Sequence, residues 1–179
     1  MEIINMKELN KFQLTQAAQV LTDVLPLGWA TLSDAMDELS ELLNGEATLL
    51  AAVENGEVVG WCGIRPEYRG NIFELHPLAV RGDRQHKGIG RLLMENIEKA
   101  ARERGGLVIF LGADDERPGG ETSLANVDLF DNLPKHIQEF EPGTHQTAFY
   151  LKLGYKIVGV VPDANGIGKP DIFMAKRLY

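Results

Sequence analysis

The chain has 179 residues, 44% hydrophobic and 25% charged, with a formal net charge of −8. This composition predicts one globular domain over residues 1–179 and excludes a disordered chain. The acidic balance argues against a nucleic-acid surface, because phosphate contacts need clustered Lys and Arg. It suits a cationic small-molecule partner.

Targeting and cofactor signals are sparse. The segment 1–14 carries Glu2, Lys7, Glu8 and Lys11 and lacks the apolar stretch of a signal peptide. The apolar runs are too short to cross a bilayer, so we expect a cytoplasmic protein without a membrane partner. Cys62 lies in an apolar run, which favours a buried residue over a catalytic thiol. The histidines have no ligand spacing, so no metal site is predicted.

Hydrophobic periodicity predicts the elements in chain order. A helix covers 11–25, and a second follows the capping-box pair Thr31 and Asp34 and runs to Leu43. Two strands flank Asn55-Gly56, a strong hairpin signal because both turn residues tolerate positive φ. The remaining elements are a strand over 71–80, a helix over 88–104, a strand over 107–111, a helix over 144–153 and closing strands over 156–161 and 172–176. This order predicts an α/β (α+β) fold, with a mixed sheet and helices on both faces.

Two segments depart from regular patterns. Pro77 interrupts the strand over 71–80 and predicts a bulge or a splayed edge, because proline cannot donate to the ladder. Residues 112–143 are rich in Gly, Pro and acidic side chains. A stretch of that length in a compact domain is usually functional or contains a short helix.

Glycines mark the start of the helix over 88–104. Gly88 and Gly90 follow a strand and a short basic segment, and they lack the Cβ atoms that would keep a ligand away from the backbone. The first N–H groups of a helix have no internal partners and favour anions, so a diphosphate can accept hydrogen bonds from several at once. Arg81, Arg84, Lys87 and Arg91 add positive charge. The sequence therefore predicts a phosphate site here.

The run Gln85-His86-Lys87-Gly88-Ile89-Gly90 resembles the Q/R-x-x-G-x-G/A signature of the GCN5-related N-acetyltransferase (GNAT) superfamily. The resemblance implies the GNAT fold, with a mostly antiparallel central sheet, and acetyl-CoA as co-substrate. It places the coenzyme A pyrophosphate on the glycine turn, which we define as Gln85–Gly90. The pantetheine arm would pair with the preceding strand at Leu78–Val80.

Several separated motifs resemble the aminoglycoside 6'-N-acetyltransferases of the Enterococcus chromosomal type. These are Glu74-Leu75-His76-Pro77-Leu78, Leu111-Gly112-x-Asp114-Asp115, the run from Phe149 to Val160, and Asn165-Gly166-x-x-Lys169-Pro170-Asp171-Ile172. The resemblance implies an antibiotic-resistance acetyltransferase that acts on the 6'-amine of an aminoglycoside without an acyl-enzyme. A homodimer is expected by analogy with that family.

The expected catalytic residues are Glu74, His76, Leu78 and Tyr150. Glu74 would take the amine proton. Glu74 and His76 are two residues apart on one strand, so they share a face unless a bulge intervenes. The alternative to a catalytic role for His76 is a packed, hydrogen-bonded histidine. The family resemblance implies that the Leu78 main chain polarises the acetyl carbonyl and that the Tyr150 phenol protonates the departing sulfur. Tyr150 is otherwise a core aromatic residue.

The cofactor-binding residues implied are Leu78, Ala79, Val80, Gln85, His86, Lys87, Gly88, Ile89, Gly90, Arg91, Tyr150 and Lys152. Lys152 meets a phosphate or is solvated. The predicted substrate-binding residues are Trp29, Tyr68, Glu74, Asp114, Asp115 and Asp171. The carboxylates among them favour a polyamine, and the two aromatic rings would flank the site. Asp114 and Asp115 are alternatively turn residues that cap the next segment.

Two other functions stay open: acetylation of another amine, such as a polyamine or a peptide N-terminus, and a non-catalytic coenzyme A-binding module.

Overall fold

The chain forms two compact units in the computed structural model, which describes Met1–Tyr179. The first unit comprises Met1–Ile109 and Leu178–Tyr179, and the second comprises Phe110–Arg177. One domain over residues 1–179 therefore stays a prediction.

The first unit contains four antiparallel strands in the order β1-β2-β3-β4, together with three helices. The strands are β1 (Glu2–Asn5), β2 (Thr48–Glu54), β3 (Glu57–Glu67) and β4 (Ile72–Val80); the helices are α1 (Lys11–Val24), α2 (Leu32–Asn44) and α3 (Ile89–Glu103). All except β1 were predicted. The four residues of β1 are too few for an apolar alternation to stand out, and pairing with β2 defines the strand.

Local chemistry accounts for the predicted boundaries. Thr31 accepts a hydrogen bond from the Asp34 backbone N–H while Asp34 accepts one from the Thr31 backbone, so the capping box is formed. Between β2 and β3, Asn55 and Gly56 have φ values of 53° and 83°, as the hairpin turn requires. Both predictions are confirmed.

Helices cover both faces of the sheet in the first unit. Adjacent residues on a strand point to opposite faces. Trp61 is fully buried and donates from Nε1 to the Ala17 carbonyl of α1 at 2.9 Å. The next residue, Cys62, is directed instead at α3, where its Sγ lies 3.8 Å from the Leu93 carbonyl oxygen. Therefore α1 and α3 lie on opposite faces.

A bulge interrupts the pairing of β3 with β4, as Pro77 predicted. Cys62 pairs with Leu78, whereas Ile64 pairs with Leu75, so His76 and Pro77 together face Gly63. A Cβ at Gly63 would lie 2.7 Å from the His76 carbonyl oxygen. Glycine at this position thus lets the backbone of β3 approach the bulge.

The second unit contains three strands in the order β5-β7-β6 and two short helices. Its elements are β5 (Val108–Asp114, which begins in the first unit), α4 (Leu129–Gln138), α5 (Thr147–Lys152), β6 (Lys156–Val161) and β7 (Asp171–Arg177), with β6 and β7 antiparallel. The helix α4 lies within the long loop, as its length suggested. The predicted helix over 144–153 begins later, because the His145 ring is held by Thr147 Oγ1 and the Asp114 carbonyl. No helix in the structure combines the length and the apolarity that a membrane span requires.

Candidate active site

Three of the predicted catalytic residues lie on β4. Along the strand, half-buried residues alternate with buried ones, and Glu74, His76 and Leu78 all belong to the half-buried set. Glu74 pairs with Arg65, which lies on the same face of β3 as Trp61. His76 contacts Glu38 of α2, whose buried residues share one core with α1 and Trp61. Glu74 and His76 are therefore directed to the same side of β4, whereas Leu78, which pairs with Cys62, is directed to the side of α3.

Arg65 on β3 holds the Glu74 carboxylate. The two residues are cross-strand partners, and Arg65 Nε donates to Glu74 Oε2. This hydrogen bond is the main reason that the pKa of the Arg65 guanidinium lies above its usual value. Arg65 thereby fixes the orientation of the proposed base and leaves it partly accessible, with 22% of the Glu74 side chain exposed.

His76 is enclosed by residues that precede β2 in the chain. Its Nε2 lies 3.2 Å from Oε1 of Glu38 on α2, and its ring centroid is 5.7 Å from that of Trp29. Trp29 therefore lies beside His76, and its role in binding substrate stays a prediction. Tyr68 lies in the turn after β3 and is 73% exposed, so it is not packed against these rings.

Sequence reasoning missed Glu38 and Arg65. Arg65 was detectable in principle, because a register for β3 and β4 would have placed it opposite Glu74. Glu38 gives no such signal. It is one of several acidic residues on α2, and only the packing of that helix brings it to His76.

The N-terminus of α3 has the features that a pyrophosphate requires. Gly88 is the N-cap in the left-handed region, with φ of 83°, and no side chain caps the helix. A Cβ at Gly88 would meet nothing within 4 Å, so the positive φ rather than crowding favours glycine there. The first N–H groups of a 15-residue helix are thus left without a side-chain cap in an exposed turn. These residues fit an anionic phosphate ligand.

The positive charge of this region is less free than the sequence suggested. Arg81 pairs with Glu57 and Asp83, and Arg84 pairs with Glu54. The Arg81 hydrogen bond lowers the pKa of the Asp83 carboxyl and raises that of Arg81 itself. Of the four cations that the sequence places here, Arg81 and Arg84 therefore pair with carboxylates of the loop and the neighbouring strands.

Within the glycine turn, several residues also have structural tasks. The Gln85 amide donates to the Val80 carbonyl at 3.0 Å, and the Lys87 ammonium donates to the Asp83 carbonyl at 3.0 Å. Ile89 is buried, so only its backbone is available to a ligand. The other predicted cofactor residues differ in exposure: His86, Gly88 and Arg91 are exposed, Leu78, Val80 and Gly90 are half-buried, and Ala79 is buried.

The predicted substrate carboxylates belong to the second unit and differ in environment. Asp115 is fully buried, and its carboxylate accepts the backbone N–H groups of Glu121 and Thr122 at 2.8 Å each. This geometry supports the loop-capping alternative for Asp115 rather than substrate contact. Asp114 is exposed and accepts from the Asn165 amide. A Cβ at Gly112 would lie 2.9 Å from the Asp171 carboxylate, so that carboxylate lies over the Gly112 backbone.

Tyr150 on α5 belongs to an aromatic cluster. It is 5% exposed, and its ring centroid lies 5.1 Å from that of Phe149 and 5.7 Å from that of Tyr155. The packing holds the ring in one orientation, which suits either of the two roles considered for it. Lys152, at the end of α5, is exposed.

Neither a reactive thiol nor a metal cluster is found. Cys62 is fully buried, and burial raises the pKa of its thiol. The prediction of a buried cysteine is confirmed. No group of three or more His, Cys, Asp or Glu side chains is arranged to hold a metal ion.

Comparison with known proteins identifies the family. The model of the Acetyltransferase (GNAT) family matches residues 14–119, which is more than half of the chain. The chain belongs to the GNAT family of acetyltransferases. This membership confirms the predicted superfamily and the predicted enzyme class, an acyl-CoA-dependent N-acetyltransferase; the acetyl donor of this family is acetyl-CoA. Among curated proteins no sequence matches.

Solved structures extend the likeness to the full chain. An aminoglycoside 6'-N-acetyltransferase complexed with coenzyme A is 37% identical, with 100% of this chain and 98% of that chain covered and a TM-score of 0.93. The aminoglycoside 6'-N-acetyltransferase from Enterococcus faecium is 37% identical over the same shares, with a TM-score of 0.91. An aminoglycoside 6'-acetyltransferase type Ii is 34% identical over the same shares, with a TM-score of 0.78. The predicted GNAT fold is confirmed.

Proposed function

We propose that this GNAT enzyme transfers the acetyl group of acetyl-CoA to the 6'-amine of an aminoglycoside. The observation that carries the proposal is the side of β4 on which Glu74 and His76 lie together, in a strand that one short helical turn, Gly82–Arg84, connects to the glycine turn. The full-length likeness to aminoglycoside 6'-N-acetyltransferases at 37% identity supports the choice of acceptor.

The donor half of the proposal rests on the glycine turn. The uncapped N–H groups that follow Gly88 would hold the pyrophosphate, with Lys87, Arg91 and Lys152 as candidate charge partners. The backbone of Leu78–Val80 would hold the pantetheine arm, and the Leu78 N–H would polarise the thioester carbonyl. Such a donor acts where charge develops on the oxygen in the transition state.

The acceptor half rests on carboxylates. Glu74, fixed by Arg65, would remove a proton from the substrate ammonium, directly or through water. Asp114 and Asp171 would contribute to amine recognition, as carboxylates accept ammonium hydrogen bonds well. Trp29 would flank the acceptor through its contact with His76. For Asp115 we propose the loop-capping role, and Tyr68 stays a weaker candidate.

The reaction includes three proton transfers and releases one proton overall. The ammonium loses one proton to Glu74, and the neutral nitrogen attacks the thioester carbon, so that a C–N bond forms. Collapse of the tetrahedral intermediate breaks the C–S bond and releases the amide, and the second amine proton passes to a base or a water in the site. Tyr150 would protonate the departing thiolate and regain its proton from solvent, since the pKa of a phenol, ~10, is close to that of a thiol, ~8.5.

Direct attack requires no acyl-enzyme. Cys62 is the one cysteine, and its buried thiol with a raised pKa is a poor nucleophile. An acetyl group passed from donor to acceptor in one step therefore agrees with the side chains available. A cytoplasmic homodimer that confers aminoglycoside resistance completes the proposal. The homodimer and the resistance rest on the family resemblance, and the location rests on the sequence pattern of segment 1–14 and of the apolar runs.

A thiol-release assay with acetyl-CoA and kanamycin or tobramycin tests the proposal. We expect turnover, and a product that carries one acetyl group on the 6'-nitrogen by NMR. An aminoglycoside with a hydroxyl at position 6' is the matched control and should not be turned over.

A panel of polyamines and peptides separates the alternatives. Turnover of one of these amines with no turnover of aminoglycosides would refute the acceptor but keep the donor. Acetyl-CoA binding by calorimetry without turnover of any amine would instead indicate a non-catalytic module.

A further inference from the structure

The contact between α2 and β4 brings a second carboxylate to the proposed site. Glu38 Oε1 lies 3.2 Å from His76 Nε2, and both side chains are partly exposed, at 23% for Glu38 and 29% for His76. The pair is neither a buried core contact nor a freely solvated surface pair. It lies on the same side of β4 as Glu74, whose own carboxylate is held by Arg65.

The chemistry of the two groups fixes the position of the ring proton. A carboxylate only accepts hydrogen bonds, so the imidazole nitrogen that faces it must donate. His76 Nε2 therefore carries a hydrogen, and in the neutral ring Nδ1 is the nitrogen with a free lone pair.

We propose that Glu38 is a positioning residue that acts through His76. It holds His76 as the Nε2–H tautomer and makes Nδ1 a proton acceptor on the side of β4 that carries Glu74. After Glu74 has taken the first proton, the second proton of the amine passes to Nδ1, directly or through a water, so that one N–H bond breaks and one forms. The inference rests on the proposed function for the identity of the substrate, but the tautomer does not depend on it.

The Trp29 ring supports this reading of the pair. It packs on His76 at 5.7 Å with a tilt of 55°, which restricts rotation of the imidazole. A ring that is packed by Trp29 and hydrogen-bonded to Glu38 has one orientation before substrate binds. Preorganisation of this kind is what general-base catalysis requires.

The direct test is ¹⁵N NMR of the histidine rings in the full chain, with His76→Gln used to assign the signals. We expect the Nε2–H tautomer for neutral His76 in the wild type and a mixture in Glu38→Ala. Glu38→Gln keeps a carbonyl oxygen that accepts, so it should largely retain the tautomer even if the alanine variant is less stable. Glu41→Ala removes an exposed carboxylate one turn later on α2 and should change nothing. A Glu38→Ala ring that stays in the Nε2–H form would overturn the proposal.

Kinetics supply the second test. Glu38→Ala should lower kcat roughly tenfold or more, with the KM for acetyl-CoA unchanged. The same substitution in the His76→Gln background should have little further effect, because a residue that acts through His76 has nothing left to act on. Equal losses in the two backgrounds would mean that Glu38 contacts the substrate itself, which contradicts the inference. A wild type that fails to turn over aminoglycosides would refute the proposed acceptor while the tautomer measurement still stands.

Discussion

At the scale of single residues, two side-chain pairs fix the orientation of Glu74 and His76. Arg65 holds Glu74 from the neighbouring strand, and Glu38 holds His76 from a helix. Each proposed proton acceptor thus has a fixed partner, and neither pair is fully buried. Partial exposure leaves room for a substrate amine, and the partners limit the conformations that must be lost on binding.

Tyr150 offers a sharp test of the leaving-group step. We expect Tyr150→Phe to lower kcat by about 10²-fold, because it removes the proton donor to the thiolate and keeps the ring packing. The affinity for acetyl-CoA should change much less. Steady-state kinetics and calorimetry measure the two effects separately.

The matched control is Tyr155→Phe, which deletes a hydroxyl from the neighbouring ring of the same aromatic cluster. It should leave kcat near the wild-type value. If Tyr150→Phe also turns over at the wild-type rate, Tyr150 acts only as a packing residue.

The buried thiol of Cys62 should make the free energy of unfolding depend on pH in the alkaline range. Burial raises the pKa of the folded thiol, so the folded chain keeps a proton that the unfolded chain loses above ~8.5. The unfolded state then binds fewer protons, and the free energy of unfolding must fall as pH rises. Relative to Cys62→Ala, the wild type should lose up to ~1.4 kcal/mol per pH unit above that value.

Urea denaturation of the two proteins between about pH 7 and pH 10 measures this difference. Below ~8.5 the difference should be constant, because both states of the wild type are then protonated. If the free energies of unfolding of the two proteins change in parallel over the whole pH range, the folded thiol loses its proton as readily as the unfolded one, and the prediction is wrong. Cys62→Ala should also retain acetyl transfer, as expected for direct attack.

At the scale of elements, the start of α3 unites fold and proposed function. Gly88 is the N-cap of α3 in the left-handed region, and the helix begins without a side-chain cap. A helix that lacks a cap of its own leaves its first N–H groups to a ligand. The two loop arginines are occupied with carboxylates, so the backbone rather than Arg81 or Arg84 is expected to supply most of the recognition.

Gly90→Val tests that expectation. A branched side chain in the first turn of α3 places bulk where the pyrophosphate must approach the backbone. We expect acetyl-CoA affinity by calorimetry to fall roughly tenfold or more, equivalent to about 1.4 kcal/mol. Circular dichroism and thermal unfolding check that α3 persists.

Gly82→Val is the control for a branched residue in the same loop. Gly82 lies outside the glycine turn, and a Cβ there meets nothing within 4 Å. This variant should bind acetyl-CoA as the wild type does. Unchanged affinity in Gly90→Val would remove the phosphate assignment.

Most elements were predictable because their signals are local. The capping box at Thr31 and the turn at Asn55-Gly56 need only neighbouring residues, and the Pro77 bulge follows from a missing donor. The partners Glu38 and Arg65 were not predictable in this way. Their roles arise from helix packing and strand register, which a single sequence does not specify.

The same limit applies to the acidic candidates. Sequence alone left two interpretations of Asp114 and Asp115, and the structure separates the residues: one carboxylate is buried against backbone N–H groups, and the other is exposed. The starting point of α5 was also missed, because the side-chain contacts of His145 are not local in sequence.

At the scale of the whole molecule, the two proposed substrates carry opposite charge: acetyl-CoA is anionic and an aminoglycoside is cationic. The chain carries a net charge of −8, which attracts a polycationic aminoglycoside and repels an anionic coenzyme. The coenzyme is expected to rely on short-range backbone contacts at α3, whereas the acceptor benefits from the field of the whole protein. Salt should therefore affect the two substrates differently.

We expect the KM for an aminoglycoside to rise roughly three- to tenfold between about 0.03 and 0.5 M KCl, with a much smaller change in kcat. The Debye length falls from more than 10 Å to less than 8 Å over this range, so distant carboxylates cease to attract the substrate. The KM for acetyl-CoA should change less or fall, since the same salt weakens repulsion by the acidic surface. Aminoglycosides with fewer amines serve as the control, and their KM should rise less steeply with salt concentration. Identical slopes for acceptors of different charge would contradict electrostatic attraction and leave close contacts, such as the one proposed for Glu74, as the source of amine selectivity.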